Sequence, residues 1–564
     1  MKKNLLVLTA IVGSAVMLTV IQAPISWSGL AWVSLVPFIL ACSPDVKVKP
    51  LFLTAYLVSL CYWLGNLYWI YPVTPAGWLA FCIYTALLWP ILAVCLRYCR
   101  GKKIPLVLAV PVLIVGAERL QGLFLGGFFW RFLAHSQYAN ITLIQIADVF
   151  GAAGVSFLIA MVNGLAAELI IAAEEKKIFK TGNLLKAGLV CGVIVATIVY
   201  GEYRINESDK YIEAGPLVST VQTNVPQSVK KSHQSSEEIL DELLKNSKAS
   251  IEAGAELVVW PETMVQATLD ERVLSRVTDE YPCKIVDKIL REHSKGKAFV
   301  LAGAYGGTLK IAEDGTIDLA KRHNSAFLYK PDGTAAKEQY SKIHLVAFGE
   351  YVPFRKSFPL LFNLLMKFTP YDYDYTLDAG DEYTVFEMTG KEGRAYKFGV
   401  MICYEDAVPA IARRFATGKE GKKNIDWLVN ISNDGWFVRF ANDKVSPSTE
   451  LGQHAAICVF RAVENRLAVV RSVNTGVSCL IDTVGHIRDG YTAGALPHRA
   501  MARTGMAGWL VDRVPIDKRT TFFSRRGQWL DFCCAVCLVW LMIIPSLGRF
   551  LLRKGPNPPK ADKK

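Results

Sequence analysis

Long uncharged apolar runs constrain this chain more than any other feature of its sequence. A helix that crosses a hydrocarbon core needs about 20 consecutive apolar residues. Eight runs approach that length, and they lie at 4–22, 28–43, 51–71, 76–97, 104–123, 145–173, 186–202 and 528–548. The pattern predicts a membrane α-helical bundle of about eight spans, which agrees with the 52% hydrophobic content of the 564 residues.

The apolar runs are concentrated at the two ends of the chain. Residues 203–525 have ordinary charge density, which predicts a soluble domain set between membrane segments. The predicted parts are a transmembrane region of seven apolar runs, the soluble domain, a C-terminal transmembrane helix and a basic cytoplasmic tail; they lie at 1–202, 203–525, 526–548 and 549–564. The first run is either a retained anchor or a cleaved signal peptide, and its length without a charge favours the anchor.

Basic residues alternate between the predicted loops and so predict an orientation. Lys and Arg follow the second and fourth runs and lie between the sixth and seventh, whereas the loops at 23–27 and 72–75 have none. Because cytoplasmic loops carry an excess of Lys and Arg, we expect a multi-pass protein of the bacterial inner membrane with its soluble domain in the periplasm. These loops and the tail hold much of the net charge of +13, so no nucleic-acid partner is expected.

Within the soluble domain, β-rich runs alternate with helical stretches, which predicts an α/β domain. The predicted strands lie at 217–221, 257–260, 298–302, 325–329, 398–402 and 428–431, and the predicted helices at 236–253 and 448–466. The chain has thirteen cysteines, of which Cys283, Cys403, Cys458 and Cys479 fall in this domain. A disulfide is possible in an oxidising compartment, but the sequence does not select a pairing, and the irregular spacing does not indicate a zinc site.

Three short segments of the domain place a reactive group after a strand or in a loop. Glu262 follows Trp260-Pro261, Lys342 follows Tyr340-Ser341, and Cys403 ends the apolar run Val400-Met401-Ile402. Taken singly, each residue has an ordinary structural interpretation. Glu262 lies in a helix N-cap region, Lys342 is a surface cation and Cys403 is a core thiol. Taken together, they supply a general base, a cation for a developing oxyanion and a nucleophile.

The order and the contexts of these three residues resemble the nitrilase superfamily, and the membrane frame narrows the resemblance to the apolipoprotein N-acyltransferase family. Further matching segments lie at 221–227, 430–437, 453–454, 461–466 and 471–476. The resemblance implies an extracytoplasmic nitrilase-type (carbon-nitrogen hydrolase) domain folded as an αββα sandwich. Lys230-Lys231, Ser341 and Ala347 depart from the family pattern and bear on substrate contacts.

The resemblance implies a two-step acyl transfer. Cys403 takes an acyl chain from a phospholipid as a thioester, and the α-amino group of an N-terminal diacylglyceryl-cysteine then accepts it. Glu262 is the implied base, and Lys342 with a backbone N–H near Tyr404 stabilises the oxyanions. Glu350 and Glu405 match further acids of the family site, either as proton carriers or as orienting partners. The implied partners are a phospholipid donor, a diacylated lipoprotein acceptor and the bilayer, with no cofactor and no metal.

Two other functions fit parts of the sequence. A membrane-tethered amidase would use the same three residues and give the acyl group to water, but one span is enough for a tether. A transporter or receptor with an inactive sensor domain would place ionisable residues inside its spans. Glu118 and Arg119, the clearest candidates, lie near a helix end. The acyltransferase explains both the many spans and the intact reactive set.

An apolar segment with aromatic residues follows the Lys342 and Glu350 motifs, at 354–375. It is too short to span a bilayer. It is either a buried helix of the domain core or an arm that lies in the membrane interface, with aromatics at headgroup depth. Leu361, Phe362 and Leu365 are the candidate residues of such a substrate lid.

The alternation of loop charges gives a prediction about orientation. Cysteines introduced at 305–335 should react with an impermeant maleimide added outside intact spheroplasts, and a reporter fused after residue 553 should report the cytoplasm. The opposite labelling pattern would contradict the predicted orientation.

Overall fold

The computed structural model describes residues 2–123, 126–227, 236–311, 317–355, 357–367, 375–418, 421–442 and 444–553. Lys230, Lys231, the aromatic residues within 368–374 and the tail beyond residue 553 lie outside the described residues.

The first 206 residues are helical wherever an apolar run was predicted. The α-helices are Lys2–Val20, Val36–Ala41, Val48–Asn66, Pro75–Thr85, Leu88–Gly101, Leu106–Gln121, Ile141–Ile144, Ala147–Phe150, Ala152–Glu174 and Thr181–Asn206. The chain returns to this bundle at its C-terminal end, where helix Trp529–Arg553 packs against Leu106–Gln121.

Five helices of the described chain are long and apolar enough to cross a membrane, fewer than the eight predicted spans. They are Lys3–Val20, Val48–Asn66, Pro75–Gly101, Ala152–Glu174 and Thr181–Lys210. The predicted run at 28–43 forms shorter helical pieces within Ser28–Ala41. The run at 145–173 is interrupted at Gly151, whose φ of +67° is open to glycine but unfavourable for other residues.

The soluble part is a sandwich of two sheets, as the α/β prediction required. The strands of the first sheet are β1 (Ile212–Gln222), β2 (Leu257–Val259), β3 (Phe299–Ile311), β4 (Ile317–Tyr329), β5 (Ala335–Ser341), β13 (Ala493–Gly494) and β14 (Gly508–Asp517). The strands of the second are β6 (Val385–Thr389), β7 (Ala395–Ile402), β8 (Trp427–Asn433), β11 (Ala468–Asn474) and β12 (Cys479–Ile481). All six predicted strand runs overlap these strands, and the runs at 257–260 and 298–302 extend one residue beyond β2 and β3.

The strand orders are β13-β14-β1-β2-β3-β4-β5 and β12-β11-β8-β7-β6. Strands β1, β2 and β3 are parallel neighbours, and so are β7, β8 and β11. The hydroxyl of Ser472 on β11 lies 2.7 Å from the carbonyl oxygen of Val221 and 2.8 Å from that of Val259, so the two sheets meet across their central strands. The short strands β9 (Arg439–Ala441) and β10 (Lys444–Ser446) form a separate hairpin.

Helices flank the sandwich, and their bounds are Ser236–Glu252, Glu271–Leu274, Pro282–Ser294, Pro359–Met366, Pro409–Ala416, Thr449–Asn465 and Phe522–Arg526. Every residue of Thr449–Asn465 except the first is buried, because this helix lies between the second sheet and the membrane bundle. A helix that is buried all round belongs to the core rather than to a surface.

Buried ion pairs join the sandwich to the bundle. Asp148 accepts hydrogen bonds of 2.8 Å from Arg204 and from Arg466, and Arg466 also donates to Gln145 at 2.6 Å. Breaking a buried pair leaves an uncompensated charge, which costs several kcal/mol, roughly 3–5. These contacts therefore hold the soluble domain in one position on the helices.

The helix Pro359–Met366 lies in the apolar segment at 354–375, for which the sequence allows either a buried core helix or an interfacial arm. None of its residues is buried, and Leu360 is 80% exposed. Of the two interpretations of this segment, the buried core helix is therefore excluded for Pro359–Met366. The lid candidates Leu361, Phe362 and Leu365 are half-buried on this otherwise exposed helix.

Candidate active site

Three strand ends bring Glu262, Lys342 and Cys403 to one place in the sandwich. Glu262 follows β2, Lys342 directly follows β5, and Cys403 directly follows β7. All three side chains are buried, with 5%, 1% and 9% of their surface exposed. Strands β2 and β7 each have parallel neighbours in their own sheet, and the carboxyl ends of such strands are where α/β folds place reactive residues.

The backbone around Glu262 packs closely against β3. A Cβ atom at Gly303 would lie 2.3 Å from the carbonyl oxygen of Pro261, so only glycine permits this approach. The Glu262 carboxylate accepts hydrogen bonds from the Asn433 backbone N–H at 2.8 Å and from Asn324 Nδ2 at 2.6 Å. Two fixed donors therefore orient its oxygens.

Lys342 lies between two carboxylates. Its Nζ is 2.9 Å from Glu350 Oε1 and 3.4 Å from Glu262 Oε1. Burial lowers the pKa of Lys342, but the neighbouring carboxylates outweigh burial, and the pKa is held well above its usual value. Lys342 is therefore a fixed ammonium group at neutral pH, as an oxyanion partner requires.

Cys403 begins a short 3-10 helix, Cys403–Ala407, and its backbone is strained. Its φ is +53°, in the left-handed region that non-glycine residues rarely adopt and that recurs at active sites. Asn430 Nδ2 donates to the Cys403 carbonyl at 3.1 Å and holds this turn. Burial, together with the negative charge of Glu262, raises the pKa of the thiol, while the charges of Lys342 and His454 oppose that rise.

Glu405 has the contacts of an orienting group. Its Oε1 accepts from the backbone N–H groups of Ile343 and His344 at 2.7 and 3.0 Å, and its Oε2 accepts from the Ile402 N–H and the Tyr340 hydroxyl, each at 2.8 Å. Burial raises its pKa to about 7, although these donors and Lys342 oppose the rise. Glu405 thus joins the loop that carries Lys342 to the strand end that carries Cys403.

Tyr404 connects the site to the membrane bundle. Its hydroxyl accepts from the Phe129 N–H at 2.6 Å and lies 3.2 Å from the carbonyl oxygen of Gly127, both in the loop after helix Leu106–Gln121. Trp130 of the same loop stacks on the Tyr404 ring and donates to Gln453 at 2.7 Å. The wall of the site beside Cys403 is therefore partly built from the helical region.

A cluster of buried charges lies behind the turn that carries Cys403. It comprises Asp406, Asp434, Glu450, His454 and Arg471. Asp434, Glu450 and His454 bring potential metal-ligand atoms within 4.8 Å of one another. The Arg471 guanidinium and the His454 ring already face the carboxylates, and these contacts account for the arrangement of the cluster.

The sequence did not single out two of these features. Asn324, on β4, donates to both Glu262 and Glu350, at 2.6 and 3.1 Å. No motif surrounds it in the sequence, because its partners are distant along the chain. The pairing of His454 with Asp406 was likewise unforeseen, although both residues lie in segments that the resemblance marked. All thirteen cysteines are free thiols, so no pairing is formed among Cys283, Cys403, Cys458 and Cys479.

Comparison with known proteins gives consistent results. The family model described as "Apolipoprotein N-acyltransferase N-terminal domain" matches residues 14–165, and the model described as "Carbon-nitrogen hydrolase" matches residues 217–494. The apolipoprotein N-acyltransferase of Geobacter metallireducens is 32% identical over 90% of this chain and 89% of its own length. That of Chlorobaculum tepidum is 26% identical over the same shares. A solved amidase of the nitrilase superfamily from Nesterenkonia AN1 is 14% identical, with a TM-score of 0.34 over 57% of this chain and 94% of its own.

The contacts of Glu405 predict a stability effect. Glu405→Gln replaces one acceptor oxygen by an NH₂ group that faces buried donors, and we expect the free energy of unfolding to fall by about 2–4 kcal/mol. Urea unfolding measures this change. The matched control is Glu387→Gln, because Glu387 is exposed and pairs with the exposed Lys397; we expect less than about 0.5 kcal/mol there. Equal, small effects of both substitutions would contradict the orienting role.

Proposed function

The chain belongs to the apolipoprotein N-acyltransferase family, and we propose that it acylates lipoproteins through a thioester on Cys403, with Glu262 as general base and Lys342 as oxyanion partner. It is a membrane protein and an acyltransferase of lipoprotein maturation. The observation that carries the mechanism is the juxtaposition of a fixed ammonium group, an oriented carboxylate and a strained cysteine in one buried site.

In the first step, Glu262 removes the thiol proton and the Cys403 sulfur attacks the ester carbonyl of a phospholipid acyl chain. The raised pKa of the thiol makes this base necessary, because only the thiolate is a strong nucleophile. Lys342 stabilises the tetrahedral oxyanion together with the Tyr404 backbone N–H. The carbon–oxygen ester bond then breaks, and the proton held by Glu262 passes to the departing lysophospholipid.

In the second step, the α-amino group of a diacylglyceryl-cysteine attacks the thioester. Glu262 removes a proton from the ammonium form, since only the neutral amine is nucleophilic. The same oxyanion partners act again. The carbon–sulfur bond breaks, and Glu262 passes its proton to the Cys403 thiolate. Glu262 then takes the second proton from the attacking nitrogen and releases it to water, and the acyl chain leaves as an amide on the lipoprotein.

In this scheme Glu350 and Glu405 hold other groups in position and do not transfer protons. Glu350 accepts from Lys342 and from the Val346 N–H at 2.8 Å, so it holds the ammonium group and its loop together. Glu405 holds the same loop at the backbone of Ile343.

The membrane frame suits a lipid donor. The domain at 203–525 would lie on the periplasmic side of the bacterial inner membrane, between a transmembrane region at 1–202, a C-terminal helix at 526–548 and a cytoplasmic tail at 549–564. The contact of Phe129 with Tyr404 places the helical region beside the nucleophile. An enzyme that only hydrolysed soluble amides would have no use for such a contact.

The mechanism predicts an isolable acyl-enzyme. Purified protein mixed with phospholipid vesicles should gain the mass of one acyl chain on the Cys403 peptide, and a diacylated lipopeptide should then remove it. Cys403→Ala should abolish the adduct, and Glu262→Gln should slow its formation at least about 100-fold, the contribution typical of a general base. Intact-mass and peptide-mass spectrometry measure both.

Cys479→Ala is the matched control, because Cys479 is also a buried thiol of the same sandwich. It should acylate normally. An adduct on another cysteine, or turnover by Cys403→Ala, would contradict the nucleophile assignment. An adduct lost to water as fast as to the lipopeptide would favour the hydrolase.

The exposed helix Pro359–Met366 fits an interfacial arm that admits the acyl chain. It presents Phe358, Leu360 and Leu364 to its surroundings, with 59%, 80% and 51% of their surface exposed. Exposed apolar side chains of this size mark a contact with a partner or a membrane. The arm follows the Glu350 loop along the chain, so its movement would open or cover the site.

The arm gives a separate prediction. The triple replacement of Leu361, Phe362 and Leu365 by Ser should reduce acylation from phospholipid vesicles about ten-fold or more, because roughly 2 kcal/mol of apolar contact is lost for each side chain. The melting temperature and the reaction of Cys403 with a small soluble ester should not change. The matched control replaces Ile285 and Ile289, exposed on helix Pro282–Ser294, and should leave transfer unaffected. Equal loss on both substrates would contradict an arm.

A further inference from the structure

His454 is enclosed by acids on two sides. Its Nε2 lies 2.8 Å from Asp406 Oδ1, and its Nδ1 lies 3.2 Å from Asp434 Oδ1 and 3.2 Å from Glu450 Oε1. The imidazole and these carboxylates are at most 2% exposed. A neutral imidazole has one N–H donor, so it would turn a bare nitrogen lone pair toward a carboxylate oxygen. An imidazolium donates from both nitrogens and satisfies both sides.

The positive and negative charges of the cluster balance only if the His454 ring is protonated. Arg471 donates to Asp406 and lies 3.8 Å from Asp434. Burial and the charge of Asp434 raise the pKa of Glu450 to about 7, so Glu450 is the acid of the cluster that is most readily neutralised. Two carboxylates then face Arg471 and His454. Without a charge on His454, one buried carboxylate would be uncompensated.

The cluster is connected directly to the nucleophile. Asp406 lies on the same 3-10 helix as Cys403, and Asp434 follows β8, the strand beside the one that delivers Cys403. The positive charge of His454 lowers the pKa of the Cys403 thiol, alongside that of Lys342 and against burial and Glu262. The Trp130 ring lies 5.5 Å from the imidazole and contributes to closing the cluster from water.

We propose that His454 is a permanently protonated imidazolium, held by Asp406 and Asp434, whose positive charge favours the thiolate of Cys403. This inference rests on the proposed role of Cys403 as nucleophile. His454 is a positioning residue in this account, because it acts through the electrostatic field at the sulfur and does not touch the substrate. In the first step the proton still passes from the thiol to Glu262, and His454 neither gains nor loses one.

Several charged or titratable groups lie around His454 and Cys403, and each contributes to the pH dependence of the Cys403 thiol. Asp406, Asp434, Glu450 and Arg471 surround the imidazole, and the Cys458 thiol interacts with Asp406 and Arg471. Glu262, Lys342, His454 and Asp434 act on the Cys403 thiol. Glu450 shares helix Thr449–Asn465 with His454, and the other acids reach it from the turns after β7 and β8.

The test compares a neutral and a charged replacement in the full-length protein in lipid nanodiscs. The rate of iodoacetamide alkylation of Cys403, read on its peptide by mass spectrometry, is measured at several values between pH 7 and pH 9, below the raised pKa of the thiol, where the rate follows the thiolate fraction. His454→Gln should lower the rate about ten-fold at each pH, since one pKa unit is a ten-fold change in thiolate. His454→Lys should retain the wild-type rate because it retains the charge.

Glu464→Gln is the matched control, because Glu464 is equally buried on the same helix and pairs with Arg461 at 2.9 Å. It should lower the melting temperature and leave the alkylation rate of Cys403 unchanged. A wild-type rate in His454→Gln, or an equal loss of rate in His454→Gln and His454→Lys, would overturn the proposal.

If neither variant folds, the wild-type protein decides the question. Deuterium exchange at the imidazole C2 position of His454, followed by mass spectrometry, should have no inflection between pH 5 and pH 9. An inflection in that window would overturn the proposal. The lipid-derived thioester on Cys403 is assayed in the same preparation; its absence from the wild type would mark failure of the proposed function instead.

Discussion

The buried ammonium group of Lys342 sets the main constraint on this site. A cation with 1% of its surface exposed is tolerated only if carboxylates compensate it, and Glu262 and Glu350 do so at 3.4 and 2.9 Å. Asn324 donates to both carboxylates and fixes the distance between them. The loop after β2, strand β4 and the loop after β5 therefore have to converge, and the cysteine that follows β7 enters a site whose charges are already arranged.

The buried charges around Cys403 also keep its thiol protonated at rest. Burial and the negative charge of Glu262 raise the pKa of Cys403, so the thiol persists at rest. Two fixed cations, Lys342 and the imidazolium that we infer at His454, limit that rise. In the proposed mechanism, such a thiol needs only one proton transfer, to Glu262, before it reacts. The left-handed φ of Cys403 already sets the direction of its backbone at the site in the resting protein.

The membrane bundle makes contacts with the active site in addition to anchoring the chain. Phe129 donates to the Tyr404 hydroxyl next to the nucleophile, and Ala152 donates to Glu464 at 3.0 Å on the buried helix that also carries His454. Asp148 pairs with Arg466 at the end of that helix. Because these contacts are buried and charged, a shift of the bundle relative to the sandwich would disturb the active site directly. This coupling suits an enzyme whose donor comes from the bilayer.

The sequence by itself determined the parts that depend on local pattern. Apolar runs predicted the helices, β-rich runs predicted the six strands, and the chemistry of Glu262, Lys342 and Cys403 marked the reactive set. Only the tertiary structure decided which apolar runs make long helices, that Pro359–Met366 is exposed, that Glu405 orients the Lys342 loop, and that His454 lies between Asp406 and Asp434. The physical reason is that burial and ion pairing join residues far apart along the chain. Asn324 and Glu262 are separated by 62 positions, so neither leaves a local pattern that points to the other.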